Sequence, residues 1–378
     1  MIRHKVVLTF DSVDYLSLPK SAVHVETSVL HVIDNMCLGG AQRIASTLVE
    51  NNDNHRLHVL RESEQVLDGF DDYTVTGSSS RFNLRSFYDV WRQVRKHDPD
   101  VVHCHLKKSK LTGIMVKIAT LNGFSLVLHE HGEIWKENRK YELILEHMDP
   151  VIDCHIAVSR HTAELLKQRA EVPEEKIEVL YNFVDTEKFS SESLNSLESP
   201  PASDEKKFTV GYGGRLAERK GWKTVAEAAE ELGEGFQVLM TGSGSGEEEL
   251  NSKEEKTDNL HYLGYLNDVR TLFAGIDCFV LPSEWDPSPM ILYETHSCGI
   301  PLICTDTPAI DELVEDRENG LLFPTGDIDE LVSCIRELRG DADLQERIKQ
   351  EGKKSAERHS YMNYENSLES LYTDLTRK

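Results

Sequence analysis

Along this chain, short runs that are apolar almost throughout alternate with stretches whose apolar positions recur every three or four residues. SVLHVID, VVHCHL and SLVLHEHGEIW read as strands in the first half, and FTVGYGG, FQVLMTG, FVLP and PLIC in the second. Between them NMCLGGAQRIASTLVE, FNLRSFYDVWRQVRKH, KKSKLTGIMVKIATLNG, WKTVAEAAEEL and MILYETHSCG carry a helical pattern. DCHIAVSRHTAELL reads as a strand and then a helix capped by Ser159, and PAIDELVEDREN as a short helix. Strands that alternate with helices in this way imply parallel sheets joined by crossover helices. SSESLNSLESPPASDEKK, residues 190–207, has no period and the Ser, Glu and Pro content of a linker. The fold class is therefore α/β, with two doubly wound, Rossmann-like domains. The first spans residues 1–190, with an extension of uncertain structure at 1–26; the linker is 191–207, the second domain 208–355, and a terminal helix 356–378.

A length of 378 residues suits two domains, and a hydrophobic content of 39% suffices for two ordinary cores. No apolar run approaches the ~18 residues of a membrane span. The first twenty residues lack the apolar stretch and cleavage site of a signal peptide, so a cytoplasmic protein is expected. Seven cysteines without a C-x-x-C pair point to a reducing compartment and not to a disulfide framework. The net charge of −24 excludes general affinity for nucleic acid, which needs clustered Lys and Arg. An anionic substrate must then be caught by local features.

Several local features suit that task. Gly39-Gly40, between a strand and a helix, let a backbone approach a ligand at a helix start that favours negative charge. Arg215 and Lys220 lie in one glycine-flanked loop, a fixed guanidinium and a flexible ammonium suited to a pyrophosphate. Pro289 supplies no N–H, so Met290, Ile291 and Leu292 would present the free N–H groups of the next helix start. Asp286 and Glu294, with seven residues between them, are no partners for phosphate but would accept hydrogen bonds from the adjacent hydroxyls of a sugar. His131 ends a strand, where a doubly wound fold puts its ligands. His103 and His105 share one face of a strand, as do His129 and His131, yet no cysteine or acid completes a tetrahedral set and no metal is expected. KKSK at 107–110 reads as a solvated basic face, and Gly242, Gly244 and Gly246 lack dinucleotide spacing.

The stretch from Phe279 to Gly326 resembles the E-x(7)-E region of retaining glycosyltransferases of family four, which have the two-domain GT-B architecture. In that family the first acid contacts the donor sugar and the second the ribose; Asp286 stands where the first is usually Glu, and Glu284 is the other candidate. LGGAQR resembles the family's N-terminal glycine loop, and G-G-R-L-x-x-x-K-G its diphosphate clamp, which implies those roles for Gly39, Gly40, Arg215 and Lys220. The resemblance further implies that His131 contacts the donor sugar and that the loop at Tyr265 and Leu266 backs the nucleotide base. KIEVLYNFVDTEKF resembles the stretch that closes the first domain, and NYENSLESLYTDL would be the helix that crosses back onto it.

What the resemblance implies is an enzyme. It would move a hexose-type sugar from a nucleoside-diphosphate sugar to a hydroxyl of a polysaccharide, glycolipid or lipid-linked saccharide, with retention and without metal or cofactor. Peripheral membrane contact would accompany such an acceptor. Two alternatives stand beside it: a sugar-nucleotide epimerase of the same form, and a catalytically silent nucleotide-sugar-binding protein.

Overall fold

The computed structural model describes residues 27–377 apart from 38, 64–69, 77–83, 121–122, 133, 135–137, 201 and 205. The extension read at 1–26 lies outside the described residues. The first sheet has seven strands: β1 (Val29–Ile33), β2 (His55–Val59), β3 (Thr74–Val75), β4 (Val101–Cys104), β5 (Ser125–Glu130), β6 (Cys154–Ala157) and β7 (Ile177–Val179). The second has six: β8 (Phe208–Gly213), β9 (Phe236–Thr241), β10 (Leu260–Tyr262), β11 (Cys278–Leu281), β12 (Leu302–Thr305) and β13 (Leu321–Phe323). The orders are β3-β2-β1-β4-β5-β6-β7 and β10-β9-β8-β11-β12-β13, and every pairing is parallel. Both sheets are thus doubly wound, and strand order reverses between β1 and β4 and between β8 and β11. Crevices at the carboxyl ends of strands beside such reversals are where this architecture binds ligands.

Central strands are buried on both faces, as a parallel sheet requires, and most of their residues are apolar, with His31, Gln237 and Thr241 as buried polar exceptions. On one face of the first sheet, Val29, Val101, Val127, Cys154 and Ile156 meet Ile44 and Leu48 from the helix Gly40–Glu50. That face is completed from the far end of the chain. The helix Ala342–Arg358 lies against the helix Met290–Ser297 in the second domain, where Gly352 sits beside His296. The chain then turns, held by Val184 N–H to His359 O (2.9 Å) and Tyr361 N–H to Val184 O (3.0 Å). The helix Tyr361–Thr376, capped by Ser360, lays Tyr364, Leu368 and Tyr372 onto the first sheet's cluster.

Ser190 opens a short helix, Ser191–Leu194, with a capping box. Farther on, Ser199 and Ser203 hydroxyls donate to the carbonyls of Ala274 and Gly275, so the aperiodic stretch lies along the second domain.

Two readings are corrected. PAIDELVEDREN is no helix but a series of turns, in which Asn319 accepts from Glu315 N–H (2.7 Å) and donates to Leu313 O (2.9 Å). Such local side-chain bonds offer the backbone an alternative to the helical ladder. KKSK is not a solvated face throughout, because Lys110 is wholly buried with its Nζ 2.9 Å from Glu130. The start of its helix, Lys107–Thr120, is capped by the Asp34 carboxylate, which accepts from Ser109 N–H (2.7 Å) and Lys108 N–H (3.2 Å). All seven cysteines are free, and all except the half-buried Cys37 are buried. Burial raises the thiols of Cys278 and Cys304, so neither is poised as a nucleophile. No helix among the described residues is long and apolar enough to cross a membrane.

Candidate active site

Glycines let three loops of the second domain interlock at the carboxyl edge of its sheet. Gly242, after β9, has φ +147°, and a Cβ there would stand 1.8 Å from Gly214 O in the loop after β8. Gly221 (φ +66°) is as tightly placed, its Cβ position 1.9 Å from Pro282 O in the loop after β11. Leu216 N–H donates to Ser243 O, and Gly246 N–H to Leu216 O, each at 2.9 Å. Gly264 O, after β10, accepts from Gly242 N–H (3.0 Å) and Thr241 Oγ1 (2.7 Å). This layer carries the residues read from the sequence. Arg215 is exposed, its carbonyl held by the Tyr212 hydroxyl (3.2 Å). Tyr265 is 49% exposed, while Leu266 packs with the cluster beneath.

Lys220 reaches the loop after β11 and forms an ion pair with Asp286, both side chains largely enclosed. The base read as a diphosphate clamp and the acid read as a sugar contact are therefore partners. Glu284 is exposed and its N–H donates to Arg219 O at 3.0 Å, while among the described residues it is Asp286 that pairs with Lys220. Among the three N–H groups read as anion donors, that of Leu292 already donates to Pro289 O (3.1 Å). Ser288 fixes the loop's end, its carbonyl accepting from Asn182 Nδ2 (2.7 Å) and its hydroxyl bonding Tyr293 OH (2.8 Å).

The two domains meet here. Glu294, with a side chain only 4% exposed, pairs with Arg43 of the helix Gly40–Glu50. Burial raises the Glu294 carboxyl above its ordinary value, and Arg43 opposes that rise. A Cβ on Gly40 would lie 3.5 Å from Met290 Sδ, so the glycine turn after β1 faces the helix start after β11. Gly132, next to His131, stands against Trp285 and Pro287. The structure thus brings Gly39, Gly40, His131, Met290 and Glu294 to one boundary, with Lys220 and Asp286 in the adjoining loops.

Three features escaped sequence reasoning. Arg43 lies inside the LGGAQR motif, and a cation in the first turn after two glycines was the available signal. Glu312 had none. Its carboxylate crosses to the first domain and accepts from Arg160 N–H (2.8 Å), His161 N–H (2.7 Å) and Tyr181 OH (2.7 Å). The third is the extent of the histidine face: His31 on β1 and His55 on β2 join His103, His105, His129 and His131. His31 Nε2 meets His55 Nδ1 at 3.1 Å, His31 Nδ1 meets His105 Nε2 at 2.9 Å, and His105 Nδ1 meets His131 Nε2 at 3.3 Å. His103 Nδ1 bonds Tyr372 OH at 2.6 Å. Burial holds His31, His103, His129 and His131 well below the ordinary imidazole range, which keeps these rings neutral.

Residues 196–355 match the family described as glycosyl transferases group 1, and residues 34–188 match glycosyltransferase family 4. The chain is similar to an Escherichia coli UDP-Gal:alpha-D-GlcNAc-diphosphoundecaprenol alpha-1,3-galactosyltransferase, 25% identical over 94% of this chain and 98% of that one. The Rhizobium meliloti lipopolysaccharide core biosynthesis glycosyltransferase LpsE is 28% identical over 47% of this chain and 52% of its own. Among solved structures, Anabaena HepE in complex with UDP superposes with a TM-score of 0.79 at 18% identity, over 92% of this chain and all of that one. The lipopolysaccharide outer core galactosyltransferase WaaB gives 0.68 at 18% identity, over 92% and 99%.

Proposed function

The chain belongs to glycosyltransferase family four and has the GT-B fold, and from that premise we propose that it moves a hexose-type sugar from a nucleoside-diphosphate sugar to a glycan or lipid-linked hydroxyl with retention. The observation that supports this reading is the pairing of Arg43 with Glu294 and the approach of Gly40 to Met290 across the domain boundary, with the Lys220–Asp286 pair in the loops of the second domain. Cations and backbone N–H groups there suit a diphosphate, and carboxylates suit the hydroxyls of a sugar and a ribose.

In the step proposed, the acceptor oxygen bonds the anomeric carbon on the face from which the nucleoside diphosphate leaves. The bond from that carbon to the phosphate oxygen breaks, and the leaving phosphate takes the acceptor's proton. Negative charge grows on the departing diphosphate, so Arg215 and Lys220 would stabilise the transition state more than the ground state. Lys220 has an alternative anion in Asp286, and donor binding would exchange one partner for the other. That exchange would release Asp286 towards the sugar. A closed boundary would exclude water, which competes with the acceptor. The lipid-linked acceptor is suggested by the Escherichia coli relative, whose name carries a diphosphoundecaprenol saccharide.

The test is thermal stabilisation by a panel of nucleoside diphosphates and nucleotide sugars, uridine nucleotides first, with Arg215→Ala alongside. A ligand at one hundred times its dissociation constant adds about 2.7 kcal/mol, and the variant should lose most of that shift. Transfer of labelled sugar to a lipid-linked acceptor then separates an enzyme from a silent binder. Absence of stabilisation by every nucleotide, in a folded sample, would overturn the reading.

A further inference from the structure

His129 is wholly buried on β5, yet neither of its ring nitrogens has a hydrogen-bond partner among the described residues. A buried imidazole left in that condition is costly and calls for a ligand. Its neighbours supply a second observation. Two His-x-His pairs span the carboxyl ends of the adjacent strands β4 and β5, with His105 and His131 one residue past each strand, and the register and ring stacking place all four rings on the same face. One ligand atom from each of His105, His129 and His131 falls within 4.8 Å of the others. The His105 Nδ1 to His131 Nε2 separation, 3.3 Å, is long beside the 2.9 Å between His31 and His105. It is close to the ~3.4 Å that separates two nitrogens on a tetrahedral ion at ordinary zinc–nitrogen distances.

We propose that His105 through Nδ1, His131 through Nε2 and His129 form a site for a divalent transition metal of the imidazole-preferring class, such as Zn²⁺, Co²⁺ or Ni²⁺. The rest of the histidine face then acts as its outer shell. Glu369 Oε1 lies 3.5 Å from His55 Nε2, so the His55 tautomer with its proton on Nε2 faces an acceptor. His55 Nδ1 then accepts from His31 Nε2–H, and His31 Nδ1 accepts from His105 Nε2–H. What remains on His105 is a bare Nδ1, the lone pair a metal needs, fixed in direction by a carboxylate three imidazoles away. His129 and His131 are stacked, with ring centres 3.9 Å apart. His131 is the one half-buried member, and Gly132 beside it touches Trp285, so the ion would sit at the border of the domain boundary. No step of the transfer proposed above uses it.

The experiment titrates untagged, chelator-stripped full-length protein with Co²⁺, followed by calorimetry and visible absorption. The expected result is one equivalent bound with the intense bands of a tetrahedral ion, lost in His129→Phe and retained in His103→Phe. Glu369→Gln should weaken binding by about 10–100-fold, the effect expected when an outer-shell partner is lost. Thermal melting checks that each variant is folded; if His129→Phe is not, His129→Gln reads the same question. The proposal is overturned if wild type binds neither Co²⁺ nor Zn²⁺ saturably, or if His129 variants bind as wild type does. Loss in His103→Phe with retention in His129→Phe overturns it too, by assigning the ion to the His31, His103 and His105 trio.

Discussion

Glu294 sits almost fully enclosed at a boundary between domains, paired with Arg43 and also within the field of Lys188. Its carboxyl is raised above the ordinary carboxylate range, burial being the larger cause. The sign of the pH dependence follows. A raised folded-state value means that the folded protein binds the proton more tightly than the unfolded chain does. Stability from this group is therefore gained as pH falls through the raised value, and is absent at neutral pH, where the buried charge must be carried. Glu294→Gln mimics the protonated form at every pH. Relative to wild type, the variant should be more stable at pH 7 than at pH 4, as urea denaturation at the two pH values reads. An equal difference at both pH values would show that Glu294 is not strained by its burial. The same variant should bind nucleotide sugars less well, a cost to function where a site group is relieved.

At the scale of elements, Glu312 fastens a turn segment of the second domain to the N-terminus of the helix Arg160–Ala170. Two backbone N–H groups donate to one carboxylate at a helix start, where negative charge is favoured. Hydrogen bonds to charged groups contribute about 1.5–3 kcal/mol each, so Glu312→Ala should cost about 2 kcal/mol after water replaces part of the loss. Hydrogen exchange at the Arg160 and His161 amides checks it; unchanged protection would mean that the latch holds nothing shut. This element also marks what can be read from a sequence. The central strands were readable because a parallel strand buried on both faces is mostly apolar, even where it carries a histidine such as His31, and the motif loops because each follows such a strand. The segment from Pro308 to Asn319 was misread, since Ile310, Leu313 and Val314 have helical spacing and consecutive turns bury the same positions. Arg43 and Glu294 stand 251 positions apart, and Glu312 lies 152 from Arg160. No local pattern encodes a pair at that distance; only the closing of two domains does.

At the scale of the whole molecule, the first sheet borrows part of its cover from the other end of the chain. Tyr364, Leu368 and Tyr372 are each at most 3% exposed, and Tyr372 also bonds His103. Losing a buried Leu costs about 2–5 kcal/mol and a large aromatic about 3–5, so removing all three rivals the roughly 5–15 kcal/mol that holds a domain folded. A chain ending at residue 360 should therefore lose cooperative melting of its first half, and a peptide of residues 361–377 added in trans should restore it. Cooperative melting of the shortened chain at the original temperature would refute this. A consequence reaches back to the ribosome. The seven strands of the first sheet have all been made by residue 179, but the side chains that seal one of its faces emerge only after the second domain. During synthesis the usual order, in which the earlier domain folds first, is deferred. The first half waits with an apolar face uncovered, a ready client for chaperones, until the last turns of the chain arrive.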